Sequence, residues 1–445
     1  MSLSQALVDT NDCSSELIPS FEVFANHLPL DWIQAALSLS SQATIRRRRL
    51  PSDMVLWLVI GMALFRNEPV DEVARRLNIC ASGLASDELL ARSALSQARQ
   101  RLGDEPIKCL FKQSAHAWGT ERYPEDAWHG LQVFAIDGAL FRTPDTPDLR
   151  EHFGSGNTST ERQTPFPMLR LVALMNVRSH VITNAAISPY RKGEIPLAED
   201  FIEGLPNHSI TLLDKGFYSA ELLLNISQNK EQRHWLIPER KRLVSEIVED
   251  YGEGDRLHKM KVSPQARKRN ATLPEYWFVR AVTYNIQGKE KTVFTSLPAD
   301  QFSAEQVATL YHERWEIELG FRDIKSAMQN NAITLRSKKV ELIYQELWGL
   351  LLAYNVIRRE ASQAAVEYQK SPSDVSFKFA FHFIAAQLIV MAGAISPAHT
   401  PRRLKDMRGC IANMFIEKRP RPSRPRAVKI SKTRYPVNRW ASPLK

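Results

Sequence analysis

The sequence predicts an α/β protein with mixed strand directions, preceded by an all-helical region and followed by further helices and a basic tail. Three observations predict it. Short apolar runs at 131–137, 168–177, 180–188, 209–214 and 234–238 are patterned as strands, with helical text between some of them. Residues 20–120 instead carry helical patterning throughout. A polar, basic stretch at about 239–290 then separates the last of these strands from a charged helix at 311–326.

The helical region comprises FEVFANHLPLDWIQAALSLS, PSDMVLWLVIGMALFRNEPVDEVARRLN and SALSQARQRLGDEPIKCLFKQSAHAW. Pro51 and Ser52 start the second of these, and Gly103 interrupts the third. Arg46 to Arg49, with Arg75, Arg76, Arg92, Arg99 and Arg101, give the region basic edges, which suit a DNA-contacting module as well as a solvated surface. LQVFAID (131–137) is a strand ended by Asp-Gly, and MLRLVALMNV and HVITNAAIS alternate like a strand pair. A helix around 194–203 leads to SITLLD (209–214), also ended by an acid. SAELLLNISQN is helical with Ser219 as its N-cap, and HWLIP is a short strand. This order is that of a mixed sheet. Residues 239–290 form a β-rich insertion, continued by YWFVRAVTYN and KTVFTSL around a turn at Ile286-Gln287-Gly288. Helices at 341–360 and 376–395 close the globular part, so the expected domains are 1–125, 126–400 and 401–445.

With 44% hydrophobic and 24% charged residues in 445, the composition is that of a soluble globular protein and excludes a disordered one. MVLWLVIGMALF (54–65) is too short to span a bilayer, and FAFHFIAAQLIVMAGAI (379–395) carries His382 and Gln387; both are expected as buried core helices, with no membrane partner. The start, MSLSQALVDTNDCSSE, lacks a charged-then-apolar signal pattern. Cys13, Cys80, Cys109 and Cys410 are scattered, which argues against a disulfide framework or zinc site and fits a reducing cytoplasm. The net charge of +10 is concentrated at the end: residues 401–445 hold fourteen Lys/Arg against Asp406 and Glu417. Such an arm gains affinity for a polyanion by releasing condensed counterions, so nucleic acid is the favoured partner over mere solubility.

Two acids end apolar strands, Asp137 in FAIDG and Asp214 in LLDKG. Either alone would pass for a turn former. Together they place carboxylates at the carboxyl ends of strands, where α/β sheets gather ligands. The helix YHERWEIELGFRDIKS supplies a third. At about 100° per residue, with Ile317 as zero, Phe321, Ile324 and Met328 fall at about 40°, −20° and 20°, the core stripe. Tyr311, Arg314, Glu318 and Lys325 fall at about 120°, 60°, 100° and 80°, between that stripe and Trp315 and Leu319 near 160°. Glu313, Glu316 and Asp323 are assigned to a solvated face. An Arg314–Glu318 pair at i,i+4 is the plain alternative. The confined polar strip suits better a Glu318 that ligates Mg²⁺ beside cations that meet phosphate, in a two-metal arrangement.

The spacing Tyr311-x2-Arg314-x3-Glu318-x6-Lys325 resembles the YREK signature of the IS-four family of bacterial insertion-sequence transposases. Asp137 and Asp214 look like the first and second acids of the family's DDE triad, and FTSL (294–297) and SALSQARQRLG (93–103) are also similar to it. The resemblance, from about residue 20 to the tail, implies an RNase H-like core with a β-rich insertion and an N-terminal domain that binds terminal inverted repeats. It also implies a DNA transposase using Mg²⁺ ions, with Mn²⁺ able to substitute, that cleaves the element's ends and joins the 3′-hydroxyls to target DNA. Double-stranded DNA is then the partner, a dimer holds the two ends together, and the setting is a bacterial, nucleoid-associated cytoplasm. Lys215, after the second acid, joins Tyr311, Arg314 and Lys325 as a phosphate contact. Trp277 and Trp235 are candidates for stacking a flipped base. Two other readings remain: an RNase H-like nuclease without strand transfer, and a decayed transposase acting as a repressor.

Overall fold

Five helices open the described chain: α1 (Leu30–Leu37), α2 (Ser52–Leu64), α3 (Val70–Arg76), α4 (Arg92–Leu102) and α5 (Glu105–Gly119). The computed structural model describes residues 24–416 apart from 25–26, 41–49, 78, 80–90, 120, 123–125, 157–165, 229, 241–242, 287, 333 and 395–399. The Arg46–Arg49 run and most of the basic tail lie outside these residues. Pro29, Pro51 and Pro69 each stand just before a helix, where a fixed φ is tolerated and a missing N–H costs nothing. Gly103, at φ 72°, separates α4 from α5. Every residue of α2 from Met54 to Leu64 is buried, so the apolar run is a core helix. No helix among the described residues is long and apolar enough to cross a membrane.

The expected basic edges of this region are largely consumed. Arg99 is buried, donating from Nε to Gln345 Oε1 at 2.9 Å and from Nη2 to Ser337 Oγ at 3.0 Å. Arg75 and Arg76 pair with Glu72, and Arg92 with Asp71. The Arg75 and Arg76 pairs are local, three and four residues along α3, whereas sequence spacing gives no sign of the Arg92 and Arg99 partners, which lie on another helix or in distant parts of the chain.

The sheet follows: β1 (Ala127–Trp128), β2 (Leu131–Arg142), α6 (Pro147–Phe153), β3 (Met168–Asn176), β4 (Ile182–Pro189), α7 (Glu194–Glu199), β5 (Ser209–Leu213), α8 (Ala220–Ser227), β6 (Arg233–Pro238), β7 (Ser245–Gly252), β8 (Asp255–Lys261), α9 (Pro264–Arg269), β9 (Tyr276–Ile286) and β10 (Lys289–Thr295). Ten strands form one sheet in the order β4-β3-β2-β5-β6-β10-β9-β8-β7, with β1 on β2. Strands β2, β3 and β4 are antiparallel, whereas β5 runs parallel to β2 and β6 parallel to β5. The insertion is β-rich as expected, but it is no appendage. β10 returns antiparallel to β6, so residues 245–295 lengthen the same sheet.

One strand end is corrected. β2 does not stop at Asp137 but continues to Arg142, because β3 goes on pairing with it from Asp137↔Ala173 to Arg142↔Met168. Its parallel pairing with β5 stops at Ile136↔Leu213. Asp137 therefore sits in mid-strand, at the point where a neighbour falls away on one side.

The two sheet faces are covered by separate apolar clusters. One joins β2–β5 to the N-terminal helices and to the helices that follow the sheet. The other packs α7, α8 and α9 under Phe134, Ile136, Trp235 and Trp277. After β10 come α10 (Ala304–Tyr311), a 3-10 turn (His312–Arg314), α11 (Trp315–Asp323) and a π turn (Ile324–Met328), then α12 (Val340–Glu367), α13 (Phe377–Ala394) and α14 (Thr400–Ile411). Ser303 and Gln306 form a capping box that starts α10. The long α12 is buried along most of its length and packs on α2, α5 and α14.

Candidate active site

β2 and β5 are buried strands side by side, and their register brings Asp137 and Asp214 to the same edge, one residue past the last parallel pair. Asp214 then leads into a 3-10 turn at Lys215–Phe217. Asp137 Oδ1 accepts from the Gly138 amide at 2.7 Å. Burial pushes the Asp137 carboxyl up to about 6; the Gly138 amide and Arg314 oppose this, and Glu318 and Asp214 add to it. Arg314 reaches Glu318 Oε1 from Nη2 at 2.5 Å and lies 3.9 Å from Asp137 Oδ2 through Nη1. The i,i+4 pair exists, then, but its arginine also faces the strand acid. Burial works against the Arg314 charge, yet Glu318, Tyr311 and Asp137 outweigh it and hold the guanidinium above its ordinary range.

Tyr311 Oη donates to the carbonyl of Leu213, the residue before Asp214, at 3.4 Å, and its hydroxyl is pushed up chiefly by burial. Lys325 Nζ stands 5.7 Å from the centre of the Phe141 ring; burial pulls its pKa down and the nearby Asp137 opposes that. Asp137, Asp214, Tyr311, Arg314, Glu318 and Lys325 are thus drawn into one neighbourhood, with Lys215 exposed beside Asp214. They meet there although the helix is not uniform: a 3-10 turn precedes α11 and a π turn follows it, so a constant 100° per residue fails at both ends. Trp235 and Trp277 are 2% and 4% exposed and pack on each other in the second core cluster. Neither offers a ring face to a flipped base.

The back of α11 is a correction. Glu313, Glu316 and Asp323 are not a free solvated face. Glu313 accepts from Arg178 Nη2 at 2.9 Å, Glu316 Oε2 lies 2.9 Å from His180 Nε2, and Asp323 accepts from Arg358 Nη2 at 2.6 Å. The helix angles held a clue, since Glu313 falls at about −40°, beside the core stripe. The partners, from the β3–β4 turn and α12, had no sequence signal.

Among the described residues no three His, Cys, Asp or Glu side chains converge closely enough to hold a metal ion as they stand. The donor chemistry nevertheless fits a hard divalent cation. Three carboxylates come from three elements, Asp137 is raised in part by the charges of Glu318 and Asp214, and the Arg314 guanidinium lies between Asp137 and Glu318 as a cation.

Two carboxylates at the same end of neighbouring strands, beside a helix that brings a further acid and two cations, are a set of side chains that suits metal-dependent phosphoryl transfer on a polyanion. The comparisons narrow the class. The family model described as "Transposase DDE domain" matches residues 128–356, and "Insertion element 4 transposase N-terminal" matches 19–112. InsZ of Escherichia coli (strain K12) is 37% identical over 445 residues, 100% of both chains. The transposase InsG of insertion sequence element IS4, from the same strain, is 39% identical over 93% of this chain and 92% of its own. A solved piggyBac transposase synaptic complex with hairpin DNA aligns at TM-score 0.44 and 12% identity, covering 91% of this chain and 86% of that one. The chain belongs to the IS4 family of DDE transposases and is a DNA transposase.

Proposed function

We propose that Asp137, Asp214 and Glu318 are the acids of this transposase, that they hold two divalent ions, Mg²⁺ by preference, and that the five-strand half β4-β3-β2-β5-β6 serves as an RNase H-like core. The observation that carries this reading is the Arg314 guanidinium lodged between Glu318 and Asp137, a cation held where two carboxylates meet. Bound at these acids, divalent ions would activate the attacking oxygen and stabilise the leaving one. The protein's own groups do the rest. Asp137 is fixed by the Gly138 amide, and Tyr311 ties the start of the helix to the last carbonyl of β5. Arg314 and Lys325 offer positive charge to the non-bridging phosphate oxygens, and exposed Lys215 meets the backbone alongside.

In this reading the N-terminal helices bind the inverted-repeat ends of the insertion sequence and two protomers hold the ends together. Water first attacks the end phosphodiester; the released 3′-hydroxyl then attacks a phosphodiester of target DNA, so one P–O bond breaks as another forms. A labelled element end incubated with target DNA and Mg²⁺ tests it. Covalently joined product is expected. Nicks without joining would leave only a nuclease, and end binding without cleavage would leave only a repressor.

A further inference from the structure

The three acids on the back of α11 carry an inference about how Glu318 is aimed. Between His312 and Met328 the winding changes from 3-10 to α to π, so no single hydrogen-bond ladder fixes the direction of the Glu318 side chain. The seat beneath the helix must do so. Gly320 lies directly on β3, where a Cβ would overlap Met175 Cε and come within 3.1 Å of Tyr354 Oη. The ion pairs to Arg178 and Arg358, with His180 against Glu316, then act at three heights along the helix.

The partners are themselves held firmly. In the β3–β4 turn, Asn176 Oδ1 accepts from the amides of Arg178 at 2.9 Å and Ser179 at 3.1 Å. His180 sits at φ 59°, and its carbonyl accepts from Tyr354 Oη at 3.1 Å. Arg358 is buried, stacks 4.5 Å from the centre of the Phe377 ring and donates from Nε to Tyr354 Oη at 3.2 Å. Asn355 of α12 ties the same turn through both its side-chain atoms, accepting from the Ile182 amide at 2.9 Å and donating to its carbonyl at 2.7 Å. The turn, α12 and the helix thus form a closed ring of contacts.

We propose that Arg178, His180 and Arg358 form a three-point clamp that sets the rotation of the Glu318 helix, making them positioning residues for strand cleavage and joining. The proposal rests on the reading of Glu318 as a metal-holding acid. A rotation of about 10° at the roughly 5–6 Å outer radius of a helix moves a side-chain tip by about 1 Å. A displacement of about 1 Å can cost on the order of 10² in rate. Loosening the clamp therefore degrades cation binding and chemistry while leaving intact the binding of element ends, which the proposed function assigns to the N-terminal helices.

The test uses full-length protein. Arg178→Gln is chosen because this pair is the most solvent-exposed of the two arginine clamps; Glu313→Gln approaches the same pair from the other side should the first variant fold poorly. Each is expected to keep element-end binding within about twofold by mobility shift. Each should weaken calorimetric Mn²⁺ binding and lower the end-cleavage kcat by about 10- to 100-fold, the range typical of residues that orient metal ligands. The swapped pair, Arg178→Glu with Glu313→Arg, should recover most of both losses. Unchanged Mn²⁺ affinity and cleavage in the single variants overturns the clamp, and so does a swapped pair no better than either single. Glu318→Ala separates this from the parent reading: if it cleaves normally, Glu318 is not the acid, whatever Arg178 does.

Discussion

Asp137 and Asp250 are the same residue type on strands of the same sheet, and the fold treats them in opposite ways. Asp137 lies on β2, most of whose residues are buried, and its carboxyl is pushed up to about 6 chiefly by burial. Asp250 lies on β7, where all eight residues are exposed, and its carboxyl is pulled down by the Gly252 amide and by Arg256. Glu360 of α12 is a third case. It is completely buried, and burial alone would raise it, but His27 and Arg408 hydrogen-bond to it and hold it below its ordinary value. Burial by itself does not make a carboxylate reactive. What distinguishes Asp137 is burial beside two other acids, with the Gly138 amide and an arginine at 3.9 Å as partial compensation. Such a group is one that a divalent cation would relieve.

Substitutions can break or sharpen this contrast. Asp137→Ala should lower cleavage of a labelled element end by about 10⁴-fold, equivalent to about 5 kcal/mol of transition-state stabilisation. Asp250→Ala in the same assay should change nothing measurable, and a comparable loss there would erase the distinction. Next in size is Arg280→Met. Arg280 and Asp255 form a buried pair at 2.6 Å that joins β9 to β8, so an uncompensated carboxylate should cost about 3–5 kcal/mol in denaturant unfolding. The smallest effect belongs to Glu360→Gln, about 1–3 kcal/mol near neutral pH. Because the folded pKa of Glu360 is depressed, its contribution is present above the ordinary value of 4.5 and is lost as pH falls through the folded value. Thermal unfolding should therefore show the Gln variant converging on the parent protein below about pH 4.5; a gap that stayed constant with pH would mean the network contributes no charge.

Local patterning exposed much of this design and missed one kind of feature. The strands at 131–137, 209–214 and 234–238, the Ser219 cap and the Gly103 break follow from residue types a few positions apart, and each appears in the structure. The convergence of Tyr311, Arg314, Glu318 and Lys325 was also legible, since a helix face is a local property. The length of β2 beyond Asp137 was not, because it depends on β3 continuing to pair. The acids at 313, 316 and 323 were misassigned for the same reason, with partners at 178, 180 and 358. Arg99, which looked like surface charge, is buried against residues more than two hundred positions away.

The path of α12 has a consequence for how the protein comes into being. Its residues fill the space between α2 and α5 on one side and the sheet on the other, yet they are translated only after some three-quarters of the chain. Until then α2, apolar on every side, packs on α1, α3 and α4 but lacks its cover on the α12 side, and the helix that bears Glu318 lacks its Arg358 anchor. Contacts of such wide sequence separation close slowly. Nascent chains and early termination products are therefore left with exposed apolar helices and an unfinished site, open to chaperones and proteases. Synthesis of α12 is itself the step that seats the helix bearing Glu318.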